Sequence, residues 1–133
     1  MTATLPSTQL RLVQPRDSQE WDGYVSAHPY GHLLQSWAWG EFKRDYGWQP
    51  VRLAVARGSE YVGAAQVLIR SISGLSLAYV PRGPVVDFED QEATGALLNG
   101  IHELARKRHA VFLKVEPNYP VPSGPGSIAP SNL

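Results

Sequence analysis

From Val51 to Val80 the chain runs with a side-chain period of two, cut twice by short polar turns, and this stretch constrains the fold more than any other. Val51, Leu53 and Val55 alternate with Arg52, Ala54 and Ala56; Arg57-Gly58-Ser59-Glu60 then turns the chain into Tyr61 to Ile72. Ser73-Gly74 makes a second turn before Leu75 to Val80, which stops at Pro81-Arg82-Gly83-Pro84. Connections this short join only antiparallel neighbours, so three sequential strands predict an antiparallel meander.

Helical spacing brackets the meander. Before it, Asp17 or Ser18 caps a helix with Trp21, Tyr24 and Val25 on one side, ended by His28-Pro29-Tyr30-Gly31, after a short strand at Leu10 to Val13. Ser36 caps a second, strongly aromatic helix with rows Leu34, Ala38, Phe42 and Trp39, Phe42, Tyr46, stopped at Gly47. After the meander, Leu97, Ile101, Leu104 and Ala105 share a helical face between Gln91 and Arg108, with acids at the start and Arg106, Lys107 and Arg108 at the end, as the helix dipole favours. Val111 to Val115 reads as a short continuous apolar strand broken only by Lys114 and closed by Glu116-Pro117.

The order β-α-α-β-β-β-α-β predicts an N-acetyltransferase-like (GNAT-like) α/β fold: a mixed, largely antiparallel sheet with flanking helices, here an incomplete first domain over residues 1–116. Residues 117–133 hold five of the chain's 11 prolines and no charge, which reads as a linker or a disordered end. The 133 residues suffice for one core. Twelve basic residues balance twelve acidic ones, which argues against a DNA-binding surface. Cysteine is absent, so disulfides, thiolate metal sites and a cysteine nucleophile are excluded, and a cytoplasmic setting is the expectation. No apolar run reaches the length of a membrane span.

Few residues have a chemical reading of their own. An acyl-CoA site would need amides free for pyrophosphate at the start of the last helix; Pro81 and Pro84 lack them, and Asp87, Glu89 and Asp90 put negative charge there. Coenzyme A is therefore not expected. Lys43 reads either as part of a solvated face or as a mobile charge for a phosphate. Trp37, Trp39 and Trp48 read as core by spacing, with the lining of a pocket as the alternative. Glu116, at a strand end, reads as an ordinary exposed acid or as a base facing a ligand crevice. Arg82-Gly83 forms a tight turn or a substrate-facing loop. The four histidines form no metal-ligand spacing, and no serine sits in a nucleophile-elbow context.

Four segments, HLLQSWAWGEFKRDYGWQPVRLAV, GAAQVLIRSI, LAYVPRGPVVDF and VFLKVEPN, resemble in order and spacing the Fem (FemABX) family of peptidoglycan bridge-forming aminoacyltransferases. The likeness extends over residues 28–118, and its most specific parts are S-W-x-W-x-x-F-K leading to G-W, and Y-x-P-R-G-P-V-x-D. The resemblance implies an enzyme of two acetyltransferase-like domains that moves an amino acid from aminoacyl-tRNA to the stem-peptide amine of a peptidoglycan precursor. It implies substrate binding by Lys43, at a precursor phosphate, and by Trp39 of the same motif. Glu116 is implied as the acid of the acceptor site and as the candidate catalytic group, and Arg82 and Gly83 as neighbours of the substrate. A tyrosine that some members carry early in the last strand is Val111 here. The implied reaction is direct aminolysis with no cofactor, no metal and no covalent enzyme intermediate. The partners implied are a nucleotide- or lipid-linked precursor, reached in the latter case by peripheral membrane contact, and aminoacyl-tRNA, held mainly by a second domain. This chain alone is expected to be inactive. Two other readings stand beside this one: an acyl-CoA-dependent acyltransferase of the same fold, and a non-catalytic module that docks a partner through an open sheet edge.

Overall fold

The computed structural model describes residues 9–118. Strand β1 (Leu10–Val13) leads to helix α1 (Ser18–Ala27), a 3-10 turn (Leu33–Gln35) and helix α2 (Trp37–Arg44). Then come β2 (Gln49–Arg57), β3 (Glu60–Ile72), β4 (Leu75–Pro81), the two-residue strand β5 (Val85–Val86), helix α3 (Gln91–Lys107) and β6 (Ala110–Glu116). The sheet runs β1-β2-β3-β4-β6, with β5 paired to β3 off that path. Every pairing is antiparallel except β4 with β6, which is parallel and is reached through the α3 crossover. This is the mixed, largely antiparallel sheet that the element order predicts.

Both faces of the sheet are covered, which is why β2 and β3 read as nearly continuous apolar runs. On one face Leu53, Val55, Ala65, Val67, Ile69, Ala78 and Val80 pack against Ala93, Leu97, Ile101, Leu104 and Ala105 of α3. On the other, Ala54 and Ala64 meet Trp21 and Val25 of α1. Each helix start is capped by a side chain: Asp17 accepts from the Gln19 amide, Ser36 from Trp39 and Asp90 from Ala93. Asp90 also pairs with Arg57 at 3.0 Å, tying α3 to the end of β2, and that guanidinium holds its carboxyl below the usual range.

Three expectations need correcting. Val85–Val86 forms a strand against Gly63 and Ala64, where the sequence reads as loop. The aromatic row of α2 is not core: Phe42 and Tyr46 are 47% and 58% exposed, and the buried residue of the helix is Gly40. Leu34 lies in the 3-10 turn, before the helix begins. Strand β6 is an exposed edge strand. Val111 and Phe112 are 62% and 58% exposed, because the strand lies at the sheet edge with its far side uncovered among the described residues. Of the segment read as a linker, residues 119–133 lie outside the described residues.

Candidate functional site

The site begins with a polar network beneath α2. Gln35 and Gln66 are fully buried, and Arg52 is nearly so. The Gln35 Nε2 donates to the carbonyls of Pro81 at 2.7 Å and Gln66 at 3.2 Å, while its Oε1 accepts from the Gln66 amide at 2.7 Å. Gln66 Nε2 donates to the Ser36 carbonyl at 2.8 Å, and Arg52 donates to Gln66 Oε1, the Trp37 carbonyl and Glu41. Arg52 also stacks 3.6 Å from the centre of the Trp37 ring. Burial pulls the Arg52 pKa down while Glu41 pulls it up. Glu41 is itself held below its ordinary value, first by hydrogen bonding to Arg44 and then by Arg52. Among the described residues no buried side-chain polar atom lacks a partner, so the network holds α2 and the end of β4 in one register.

Gly40 lets α2 come this close. A Cβ at that position would stand 2.3 Å from Gln66 Oε1 and 2.6 Å from Arg52 Nη2. With the glycine against the network, the aromatic side of α2 faces outward and sideways over β3 and β4. Between helix and sheet lies a cleft of about 220 Å³ lined by Leu34, Trp39, Lys43, Trp48, Leu68, Tyr79 and Pro81. The Lys43 ammonium lies 5.8, 6.0 and 5.9 Å from the ring centres of Trp39, Tyr46 and Trp48, and among the described residues it forms no ion pair. A cation held by rings rather than by a carboxylate keeps its charge available to an anion.

Beside the cleft, the parallel ladder aligns Tyr79 with Lys114 and Pro81 with Glu116. The Tyr79 hydroxyl donates to Glu116 Oε1 at 2.9 Å, and Lys114 Nζ stands 3.8 Å from Oε2. Burial, and then Glu116, push the Tyr79 hydroxyl above its ordinary pKa. The structure therefore gathers Lys43 and Trp39 in one cleft and joins Glu116 to it through Tyr79. Arg82, half-buried in the left-handed region at φ 52°, follows Pro81 directly. Gly83 packs elsewhere, against the network, where an added Cβ would stand 2.7 Å from the Gln35 side chain. Val111, one residue out of phase with Phe112, Lys114 and Glu116, points to the opposite face of the sheet.

Two larger hollows, about 280 Å³ beside Asp22 and His32 and about 480 Å³ around Arg11 and Arg16, contain none of the predicted site residues. Among the described residues no three His, Asp or Glu side chains are placed to hold a metal ion. At the start of α3, Asp87 and Asp90 already accept the amides of Glu89 and Ala93, a poor setting for a phosphate.

Residues 17–123 match the FemAB family model. The chain belongs to the FemAB family. Lipid II:glycine glycyltransferase of Staphylococcus aureus is 40% identical over 109 residues, which are 80% of this chain and 26% of that protein. The chain thus spans about a quarter of the length of the curated relatives it matches. The crystal structure of FemX superposes with a TM-score of 0.77 at 37% identity, covering 84% of this chain and 28% of that one. An acetyltransferase of Trypanosoma brucei superposes at 0.59 with 16% identity, covering 81% and 82%, which identifies the fold as acetyltransferase-like. Within this FemAB unit, sequence reasoning missed Gln35, Gln66, Arg52 and Tyr79. The available signal was Arg52 and Gln66 standing as polar residues inside otherwise apolar strands.

Proposed function

We propose that this chain is the first acetyltransferase-like unit, ending near residue 116, of an aminoacyltransferase in peptidoglycan bridge synthesis. The enzyme takes an amino acid from aminoacyl-tRNA and passes it to a stem-peptide amine of a phosphate-bearing precursor. The observation that supports this reading is the cleft in which Lys43, without an ion pair among the described residues, shares its walls with the tyrosine that holds Glu116, in a chain 40% identical to a lipid II:glycine glycyltransferase.

In this reading Lys43 and Trp39 hold the precursor, the ammonium against a phosphate and the indole against an apolar or sugar face. Arg82, at the end of β4, adds a second cation near the substrate, and Gly83 leaves room for the loop that presents it. The neutral stem-peptide amine attacks the ester carbonyl carbon of aminoacyl-tRNA, and Glu116 takes a proton from the nitrogen as that bond forms. A C–N bond forms, the C–O bond to the ribose breaks, and the proton passes to the departing ribose oxygen. Alignment of the two substrates supplies most of the acceleration. The tRNA is held by sequence outside this chain, so the chain alone does not turn over. The reaction is placed in the cytoplasm, and a lipid-linked precursor is reached from the membrane surface.

The test is transfer of a labelled amino acid from aminoacyl-tRNA by the full-length protein, given lipid-linked and nucleotide-linked precursors in parallel. Label appearing in either precursor supports the reading. No transfer to either, together with micromolar binding of coenzyme A by calorimetry, replaces it with an acyl-CoA enzyme.

A further inference from the structure

The ladder between β4 and β6 ends at the pair Pro81 and Glu116. Glu116 thus occupies the last rung of an edge strand, and among the described residues no strand lies on its outer side. A glutamate so placed has three rotatable side-chain bonds, and among the described residues its carboxylate has two polar contacts. One is the Tyr79 hydroxyl at 2.9 Å. The other is Lys114 Nζ at 3.8 Å, too far for a hydrogen bond, on a side chain that is 55% exposed. Tyr79 is better placed to fix a position: it lies in the ladder between two strands, its ring forms a wall of the Lys43 cleft, and it has no flexible stem.

We propose that Tyr79 is a positioning residue for aminoacyl transfer, its hydroxyl holding the Glu116 carboxylate beside the cleft in the orientation that meets the acceptor amine. The inference rests on the role given to Glu116 above. Tyr79 neither gains nor loses a proton in the reaction; one carboxylate oxygen is tied to the hydroxyl and the other is left for the amine. The raised pKa of Tyr79, caused by burial and by Glu116 itself, keeps the hydroxyl a donor at neutral pH. A single neutral donor on the carboxylate also narrows the angles from which an amine can approach, which favours an extended primary amine entering along the cleft.

The experiment compares Tyr79→Phe, Glu116→Gln and the double variant in the full-length protein, with aminoacyl-tRNA and precursor. Tyr79→Phe keeps the ring and removes one oxygen. It is expected to lower kcat by about 10- to 100-fold, the worth of a hydrogen bond to a charged group, with KM for the precursor within about twofold. In the Glu116→Gln background the same change is expected to cost less than about twofold, because its effect acts through the carboxylate. A Tyr79→Phe enzyme with unchanged kcat, or full additivity in the double variant, overturns the inference. If Glu116→Gln transfers at the normal rate, the assigned role of Glu116 fails and this inference fails with it. A slow Glu116→Gln beside a normal Tyr79→Phe defeats the inference alone.

Discussion

Gln35 and Gln66 grip each other twice: the Gln66 amide donates to the Gln35 carboxamide oxygen at 2.7 Å, and Gln35 Nε2 returns a bond to the Gln66 carbonyl at 3.2 Å. Gln35 extends the grip to the Pro81 carbonyl, one residue before Arg82. Replacing Gln35 by leucine takes this partner from the Gln66 amide and from the Gln66 and Pro81 carbonyls. The expected cost is about 3 kcal/mol of stability, read as a lower denaturant midpoint with an unchanged slope.

Gly40→Ala opposes two effects. Alanine in a helix interior ordinarily gains about 1 kcal/mol over glycine. Here the new methyl would overlap Gln66 Oε1 and Arg52 Nη2, both pinned by other bonds. Overpacking of this kind costs about 1 to 3 kcal/mol, so a net loss is expected. A thermal melt above the parent's would refute that balance.

Lys43→Ala is expected to raise KM for the phosphate-bearing precursor in the full-length enzyme at least tenfold, since a phosphate contact is worth more than about 1.4 kcal/mol. The fold should lose at most about 1 kcal/mol, because among the described residues the ammonium is held by ring contacts near 6 Å and by no ion pair. Steady-state kinetics beside a chemical melt separate the two; an unchanged KM removes the phosphate role.

His32 gives the site a pH dependence. Its Nδ1 accepts the Leu34 amide at 3.1 Å, capping the turn that carries Gln35. Burial and then Arg82 lower its pKa below the ordinary 6.5. The unfolded chain therefore takes up this proton first as the medium is acidified. The contribution is complete above about 6.5 and is lost as pH falls from there through the folded value. Denaturant midpoints at pH 7.5 and pH 5, either side of the ordinary imidazole value, should differ less in His32→Asn, whose amide oxygen can cap the same turn without titrating. An equal pH effect in both proteins rules His32 out as the source.

Much of the fold is legible because periodicity reports secondary structure directly. The meander, the capping residues Asp17 and Ser36, and the α3 face from Leu97 to Ala105 are all readable that way. Helical periodicity identifies a stripe, however, and not which side of the helix is buried. In α2 the conspicuous aromatic row is the outer side and a single glycine marks the inner one. β5 is missed because two residues have no period. The site is half legible: Lys43, Trp39 and Glu116 stand out through motif, while Gln35 and Tyr79 act through partners 31 and 37 positions away. Such pairing exists only once the strands are in register.

The parallel placement of β6 has a consequence for synthesis. The Lys43 wall, the network under it and Tyr79 are all encoded before α3, whereas Glu116 is delivered by the last described strand, after a 17-residue helix. A chain emerging from the ribosome thus carries the Lys43 wall before it carries α3, whose apolar face completes the core of the sheet beneath that wall. Completion waits on a non-local strand docking at an open edge, so a nascent chain stalled short of Glu116 would present Tyr79 without the carboxylate that its hydroxyl holds.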